Sequence, residues 1–249
     1  QPVANDAGGS LGAAVALSND AGNEIQEMEH VYFGSEFDGD EIRNTLDRLK
    51  LSYCAVDDVP KTVADLISEG EIVGWFQGRM EGGPRALGNR SILADPRSID
   101  SRDNVNKYVK HREKWRPFAP SMLPQEAERY LEGDVSKAAY FMIDTYDTTP
   151  EAEDDIPAAL HPRDKTTRPH VVTRDRNERY YKLLQELKEK TDVGVVLNTS
   201  FNDSGEPIVR TPREALRDFY SMGMDALVID DILLQKPQTD VEHSVTVAE

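Results

Sequence analysis

The sequence contains a single cysteine, Cys54, among its 249 residues. One thiol cannot form an intrachain disulfide, which excludes a disulfide-stabilised secreted scaffold and fits a reducing compartment. We therefore expect a cytoplasmic protein. Cys54 lies in the short apolar stretch LSYCAV at 51–56, with no histidine motif beside it. This context predicts a buried strand residue rather than a nucleophile.

Long apolar runs are also missing. No stretch reaches the roughly 20 apolar residues that a membrane-spanning helix needs, and no basic-then-apolar leader is present. We expect no membrane partner.

The common nucleotide and metal motifs are absent. The sequence has no Walker A motif, no GxGxxG after a strand, no HExxH and no paired cysteines with zinc spacing. No nucleophile elbow supports a serine hydrolase. The five histidines are scattered, which favours structural or surface positions over a metal site.

Basic residues are scarce, with 29 Lys and Arg against 46 Asp and Glu, so the net charge is -17. Acidity spread along the chain is typical of halophilic proteins, which stay soluble in concentrated salt. It argues against nucleic-acid binding, because a phosphate polymer would be repelled. The acidic cluster at 151–155 is interpreted as a solvated loop.

One window reverses this charge. Between residues 79 and 116 there are ten Lys or Arg and five Asp or Glu, which gives +5 and leaves -22 for the rest of the chain. Three glycines, at 82, 83 and 88, let backbone N–H groups approach a ligand. Arginine forks match phosphate and carboxylate oxygens. The window predicts an anion site; the alternative is a solvated basic helix near 107–114.

Strand and helix patterns alternate and predict an α/β fold with a mixed sheet. Apolar runs predict strands at 52–56, 72–76, 140–144, 170–173, 193–197, 226–229 and 232–234. Helices are predicted over 8–17, 100–115 and 178–190. Further helices are predicted to begin after Asp38, Asp58 and Thr211, and the sequences after Asp38 and Thr211 form capping boxes.

The polar stretch 198–202 directly follows the most apolar predicted strand. Ligands of α/β proteins often bind at the carboxyl ends of strands, so this stretch is either one wall of a binding site or a turn without a binding role.

Three motifs carry a family resemblance: FQGRMEGGPRALGNRSILADPR at 76–97, KHREKWRPFAPSML at 110–123 and LNTSFNDSGEPIV at 197–209. Together they resemble the carboxyl-terminal half of the O-carbamoyltransferases, a family with nodulation-factor and antibiotic-tailoring members. The resemblance covers the chain to Lys236. In the segment DKTTR at 164–168, the glycine usual in the family is replaced, while Arg168 is kept.

The resemblance implies a YrdC-like fold, a mixed twisted sheet with flanking helices, over residues 33–236. Residues 1–32 would then be a remnant of a Kae1-like (ASKHA-type) domain, and residues 237–249 a flexible tail. Asp6 matches a metal-binding aspartate of that domain, whose histidine pair is not in this sequence. We therefore expect a fragment, with iron or another divalent metal bound only in the full-length protein.

The resemblance further implies that ATP and carbamoyl phosphate bind with Mg²⁺ and form carbamoyl-adenylate. The carbamoyl group would pass to the hydroxyl of a small-molecule acceptor in the other half of the protein. Two other classes stay open: a nucleotide-binding or regulatory module without catalysis, and a YrdC-like RNA-associated protein. A homodimer is compatible with the sequence.

The candidate site residues all have side chains that can address phosphate, nucleotide or carbamoyl groups. The catalytic candidates are Arg79, Arg85, Lys107 and Arg116, and the cofactor-binding candidates are Arg90, Arg112, Arg168, Asn198, Ser200 and Asn202. We expect the basic residues of the window to converge on one cleft, with 198–202 on its opposite wall.

Overall fold

The computed structural model describes Val3 and residues 8–236. Within these residues the strands are β1 (Cys54–Ala55), β2 (Val73–Phe76), β3 (Arg90–Ala94), β4 (Ala119–Met122), β5 (His170–Val171), β6 (Val195–Ser200), β7 (Ala226–Ile229) and β8 (Ile232–Gln235). They form one sheet in the order β1-β8-β7-β2-β3-β6-β4-β5. The pairs β2–β7 and β4–β5 are parallel and the other neighbours antiparallel.

The α-helices are α1 (Gly9–Asp20), α2 (Gly39–Arg48), α3 (Val59–Ser68), α4 (Ile99–Asn104), α5 (Pro124–Tyr130), α6 (Pro150–Asp155), α7 (Glu178–Thr191) and α8 (Pro212–Ser221). A π-helical turn, Val105–Val109, continues α4, and 3-10 turns occupy Lys137–Phe141 and Pro157–Ala159. The predicted fold class, an α/β mixed sheet with flanking helices, is confirmed. In the part of the chain described, no helix is long and apolar enough to cross a membrane.

Successive side chains of a strand point to opposite faces of the sheet. Helices therefore cover the apolar side chains on both faces. In β2, Val73 and Trp75 belong to a buried cluster with α3 and α7, whereas Phe76 belongs to a second cluster that includes residues of α2 and α8. Both clusters are continuous across the central strands. This rigid centre holds the strand ends, and the loops that follow them, in place.

Local sequence signals fixed several helix starts correctly. Asp38 caps α2 and Thr211 caps α8, each with the reciprocal capping box, and Asp58 caps α3 with Pro60 in its first turn. These caps satisfy N–H groups that the first turn of a helix leaves free.

Other expectations were wrong. Cys54 lies in a strand but is exposed, because β1 is a two-residue edge strand. Residues 140–144 are not a strand, since the chain there forms a 3-10 turn that ends at Met142 with a left-handed backbone, φ 56°. The helix predicted over 100–115 ends at Val109. The acidic cluster at 151–155 belongs to helix α6 rather than to a loop.

The helix α1 was predicted from its small residues and forms at Gly9–Asp20, without a buried side chain. Leu17 is 71% exposed. The division of the chain at residues 32 and 33 stays a prediction. Asp6 and the tail 237–249 lie outside the described residues.

Candidate functional site

A pocket lies where strands β4 and β6 separate. Strand β4 begins at Ala119, opposite Asn198, so that Thr199 and Ser200 extend beyond the paired part of β4. The resulting pocket has a volume of about 180 Å³. Its lining combines cationic, amide and apolar side chains: Pro84, Arg85, Ala86, Arg112, Pro117, Phe118, Ala119, Met142, Arg168, Asn198, Thr199 and Ser200.

The glycine-rich loop between β2 and β3 forms one side of the pocket. Its conformation is fixed from inside by Glu81, a buried carboxylate whose Oε1 accepts the backbone N–H groups of Leu87, Asn89 and Arg90 at 2.7, 3.2 and 3.2 Å. Gly88 has φ 91°, and a Cβ there would stand 2.3 Å from Cδ1 of Tyr180. The loop therefore requires glycine at this position, and it carries Arg85 to the pocket.

Three arginines from separate segments meet at the pocket. Arg85 comes from the glycine loop, Arg112 from the turn after the π-helix and Arg168 from the segment before β5. Arg112 is held by a 2.6 Å bond from its Nε to Oδ1 of Asn106 and lies over the Phe118 ring, 4.5 Å from its centroid. Its position is thus set by neighbours that are neutral.

Burial and mutual repulsion act on these guanidinium groups. Burial is the larger cause that lowers the pKa of Arg168, and the charge of Arg85 adds to it. Burial, followed by the charge of Arg116, also lowers the pKa of Arg112. Among the described residues, neither Arg85 nor Arg168 has a carboxylate within ion-pair distance. In a chain with 46 acidic residues, this arrangement favours an external anion as the partner.

The opposite wall is the end of β6. Asn198 is 2% exposed, and its Nδ2 donates to the Ala86 carbonyl and to Ser121 Oγ. Ser200 is half-buried, and its hydroxyl donates to Oδ1 of Asn202 at 2.5 Å. The structure therefore brings together five of the predicted residues: Arg85, Arg112, Arg168, Asn198 and Ser200.

The other predicted residues lie outside the pocket lining. Arg90 is fully buried, and its guanidinium donates to the carbonyls of Ser35, Gln77, Gly78 and Asn89 while it lies 3.6 Å from the Phe76 ring centroid. Burial lowers its pKa to about 10. Arg90 thus holds the glycine-rich loop in place, and its guanidinium has no exposed surface that a ligand could contact.

The remaining four candidates are Arg79, Lys107, Arg116 and Asn202. Arg79 and Lys107 are exposed, and the Lys107 amine donates to the hydroxyl of its neighbour Tyr108. Arg116 is exposed and pairs with Glu113 at 3.5 Å. The Asn202 amide nitrogen donates to the carbonyls of Asp203 and Glu206, so this side chain builds the loop after β6.

Sequence reasoning missed Lys110. Its Nζ is buried beside the pocket and donates to the Ser200 carbonyl and to both oxygens of Asn202. Burial, with a smaller effect from the charge of Arg112, lowers the pKa of Lys110 to about 7. The available signal was its place two residues before Arg112 in the motif at 110–123.

A second pocket, of about 220 Å³, adjoins the first and shares Arg168 and residues 117–119 with it. Thr145, His161 and Thr166 add polar groups there. Lys165, in the segment DKTTR, adopts φ 62°, a left-handed conformation that glycine accepts without strain. The described residues contain no group of three or more His, Cys, Asp or Glu side chains arranged to hold a metal.

Residues 64–236 match the family model described as Carbamoyltransferase C-terminus, and the chain belongs to this family. Nodulation protein NolNO of Sinorhizobium fredii is 37% identical over 243 residues, which cover 95% of this chain and 35% of that protein. The 3'-hydroxymethylcephem-O-carbamoyltransferase of Streptomyces clavuligerus is 32% identical over 231 residues, which cover 92% of this chain and 42% of that protein. The chain thus spans well under half the length of these relatives.

A solved structure of full-length HypF in a phosphate- and nucleotide-bound form is also similar. It shares 20% identity over 74% of this chain and 22% of that chain, with a TM-score of 0.49. At this TM-score the likeness adds nothing to the assignment, which stands on the family model and the sequence relatives.

Proposed function

We propose that this chain is the part of an O-carbamoyltransferase that binds ATP and carbamoyl phosphate and converts them to carbamoyl-adenylate. Water would cleave carbamoyl phosphate to carbamate and inorganic phosphate, and a carbamate oxygen would then attack the α-phosphate of ATP and displace pyrophosphate. The carbamoyl group would then pass to the hydroxyl of a small-molecule acceptor held by the rest of the protein. The observation that carries the proposal is the meeting of Arg85, Arg112 and Arg168 at one pocket, where neither Arg85 nor Arg168 has a carboxylate within ion-pair distance among the described residues.

Anionic substrates fit this arrangement. ATP and carbamoyl phosphate both present phosphate oxygens, which guanidinium forks bind with charge-assisted hydrogen bonds. Positioning and positive charge are the main contributions a protein makes to phosphate chemistry of this kind. The two adjoining pockets offer space for two ligands that share contact with Arg168.

The amide and hydroxyl groups of β6 suit the carbamoyl end of the ligand. Asn198 and Ser200 can form hydrogen bonds with a carbamoyl group, and the Ser200 hydroxyl already donates to Oδ1 of Asn202. Mg²⁺ would reach the site on the phosphates, because Mg²⁺ commonly binds through substrate phosphates and few protein ligands.

Pyrophosphate release tests the proposal. The 249-residue chain should release pyrophosphate from ATP and Mg²⁺ only when carbamoyl phosphate is added. Arg168→Ala should abolish most of this release, and Arg79→Ala, an exposed residue of the same basic window, should not change it. Binding of ATP without carbamoyl-phosphate-dependent release would favour the nucleotide-binding module, and salt-sensitive retention of RNA would favour the RNA-associated class.

A further inference from the structure

The side chain of Asn198 has a fixed orientation. Its Nδ2 donates to the Ala86 carbonyl at 3.0 Å and to Ser121 Oγ at 2.9 Å. A backbone carbonyl can only accept, so the amide nitrogen, and not the oxygen, must face Ala86. The position of Oδ1 follows from this, because the amide is planar.

Ser121 is in turn oriented by His170. Ser121 is fully buried and His170 is 3% exposed, and their Oγ and Nδ1 atoms lie 3.1 Å apart. Burial lowers the pKa of His170 to about 3, so the ring is neutral and its Nδ1 can accept a hydrogen bond from the Ser121 hydroxyl. The Tyr180 ring stacks on His170 with 6.1 Å between centroids and limits its movement. The lone pairs of Ser121 Oγ are thereby left for the Asn198 N–H.

The Oδ1 atom of Asn198 is buried and has no hydrogen-bond partner among the described residues. A buried acceptor without a donor is unfavourable, so a ligand that supplies an N–H to this oxygen gains a hydrogen bond. The other polar side chains around this wall are mainly arginines, which only donate. The complementary ligand therefore has anionic oxygens at one end and an N–H group at the other.

We propose that Ser121 and His170 are positioning residues that hold Asn198 so that its Oδ1 accepts the amide N–H of carbamoyl phosphate and discriminates against acyl phosphates without that donor. This inference rests on the proposed function. Acetyl phosphate is the matched probe, because a methyl group replaces the NH₂ group at nearly the same size. A site built to bond an N–H rejects the analogue that lacks it, since a buried acceptor is left unpaired.

Calorimetric titration of the 249-residue chain with carbamoyl phosphate and with acetyl phosphate tests this. The wild type should bind carbamoyl phosphate at least about tenfold more tightly than acetyl phosphate. Ser121→Ala and Asn198→Ala should each lower this ratio severalfold by weakening carbamoyl phosphate alone, with ATP affinity unchanged. Ser91→Ala is the control, because Ser91 is equally buried in β3 but its hydroxyl accepts from the Gly88 N–H and does not contact Asn198.

Three outcomes of these titrations would overturn the inference. Equal binding of the two acyl phosphates by the wild type would overturn the inference and leave the proposed function standing. An unchanged ratio in both variants, with thermal unfolding showing that they are folded, would also overturn it. No binding of carbamoyl phosphate by the wild type would overturn the proposed function together with the inference.

Discussion

Lys110 donates a hydrogen bond of 2.6 Å from Nζ to the backbone carbonyl of Ser200. This contact joins the turn after the π-helix to the end of β6. Arg112 stands two residues after Lys110, and Ser200 lines the pocket, so the lysine sets the distance between two walls of the site. Because this amine joins two segments that line the pocket, the shape of the pocket depends on the charge of one group.

The pH dependence of stability should report this lysine. Its folded pKa of about 7 lies below the 10.5 of a free lysine side chain, so between pH 7 and 9 the unfolded chain holds a proton that the folded chain has released. Stability from this group therefore rises with pH, by up to about 1.4 kcal/mol per pH unit. Urea unfolding at several pH values should show a steeper rise for the wild type than for Lys110→Met. Parallel curves for the two proteins would contradict the assignment.

Arg85→Ala should weaken anion binding. Loss of a charge-assisted contact is worth roughly 1.5–3 kcal/mol, hence about a tenfold or greater loss in affinity for ATP or carbamoyl phosphate. Arg79→Ala serves as a control in the same basic window, and Arg43→Ala as one on α2, where Arg43 pairs with Asp231 at 2.6 Å. Calorimetric titration measures the three variants. Similar small effects in all three would show that the pocket does not bind these anions.

Arg90→Lys should destabilise the fold although it preserves the charge. The guanidinium donates to four carbonyls, whereas an ammonium has three N–H groups and no flat face for the Phe76 ring. We expect a loss of about 2–4 kcal/mol in the free energy of unfolding. Arg79→Lys, at an exposed position, should change it by less than about 0.5 kcal/mol. Equal denaturation midpoints would show that Arg90 is not a structural residue.

Gly88→Ala should be more damaging than Gly205→Ala. Both glycines have a positive φ, of 91° and 80°, which places a roughly 1–2 kcal/mol penalty on any Cβ. A Cβ at 88 would also collide with Tyr180, whereas one at 205 would meet no atom within 4 Å. We expect an additional loss of about 1–3 kcal/mol for the first variant. Chemical denaturation compares them, and equal losses would mean that the ring of Tyr180 moves aside freely.

The sequence predicted the elements whose signals are local. The capping boxes of α2 and α8 and the apolar run of β6 depend on residues near one another in the chain. Strands β3 and β4 were missed because β3 begins with a charged residue, Arg90, and β4 contains Pro120. Their pairing depends on partners far along the chain, which no short window contains.

The site was partly predictable for a similar reason. A count of charges located the basic window, and the rule that ligands bind at strand ends located Asn198 and Ser200. A count of charges cannot distinguish Arg85, which reaches the pocket, from Arg90, whose donors meet carbonyls of the folded loop. Lys110 was missed because its function arises from contact with residues 90 and 92 positions further along the chain.

Holding Arg85 and Arg168 side by side makes the stability of the fold depend on what the solution contains. Two like charges without a carboxylate between them oppose folding, and an anion that binds between them removes this opposition. By mass action, a ligand at 100 times its dissociation constant adds about 2.7 kcal/mol to the free energy of unfolding. Under the proposed function, the melting temperature of this protein should therefore rise with the concentration of the phosphate compounds around it.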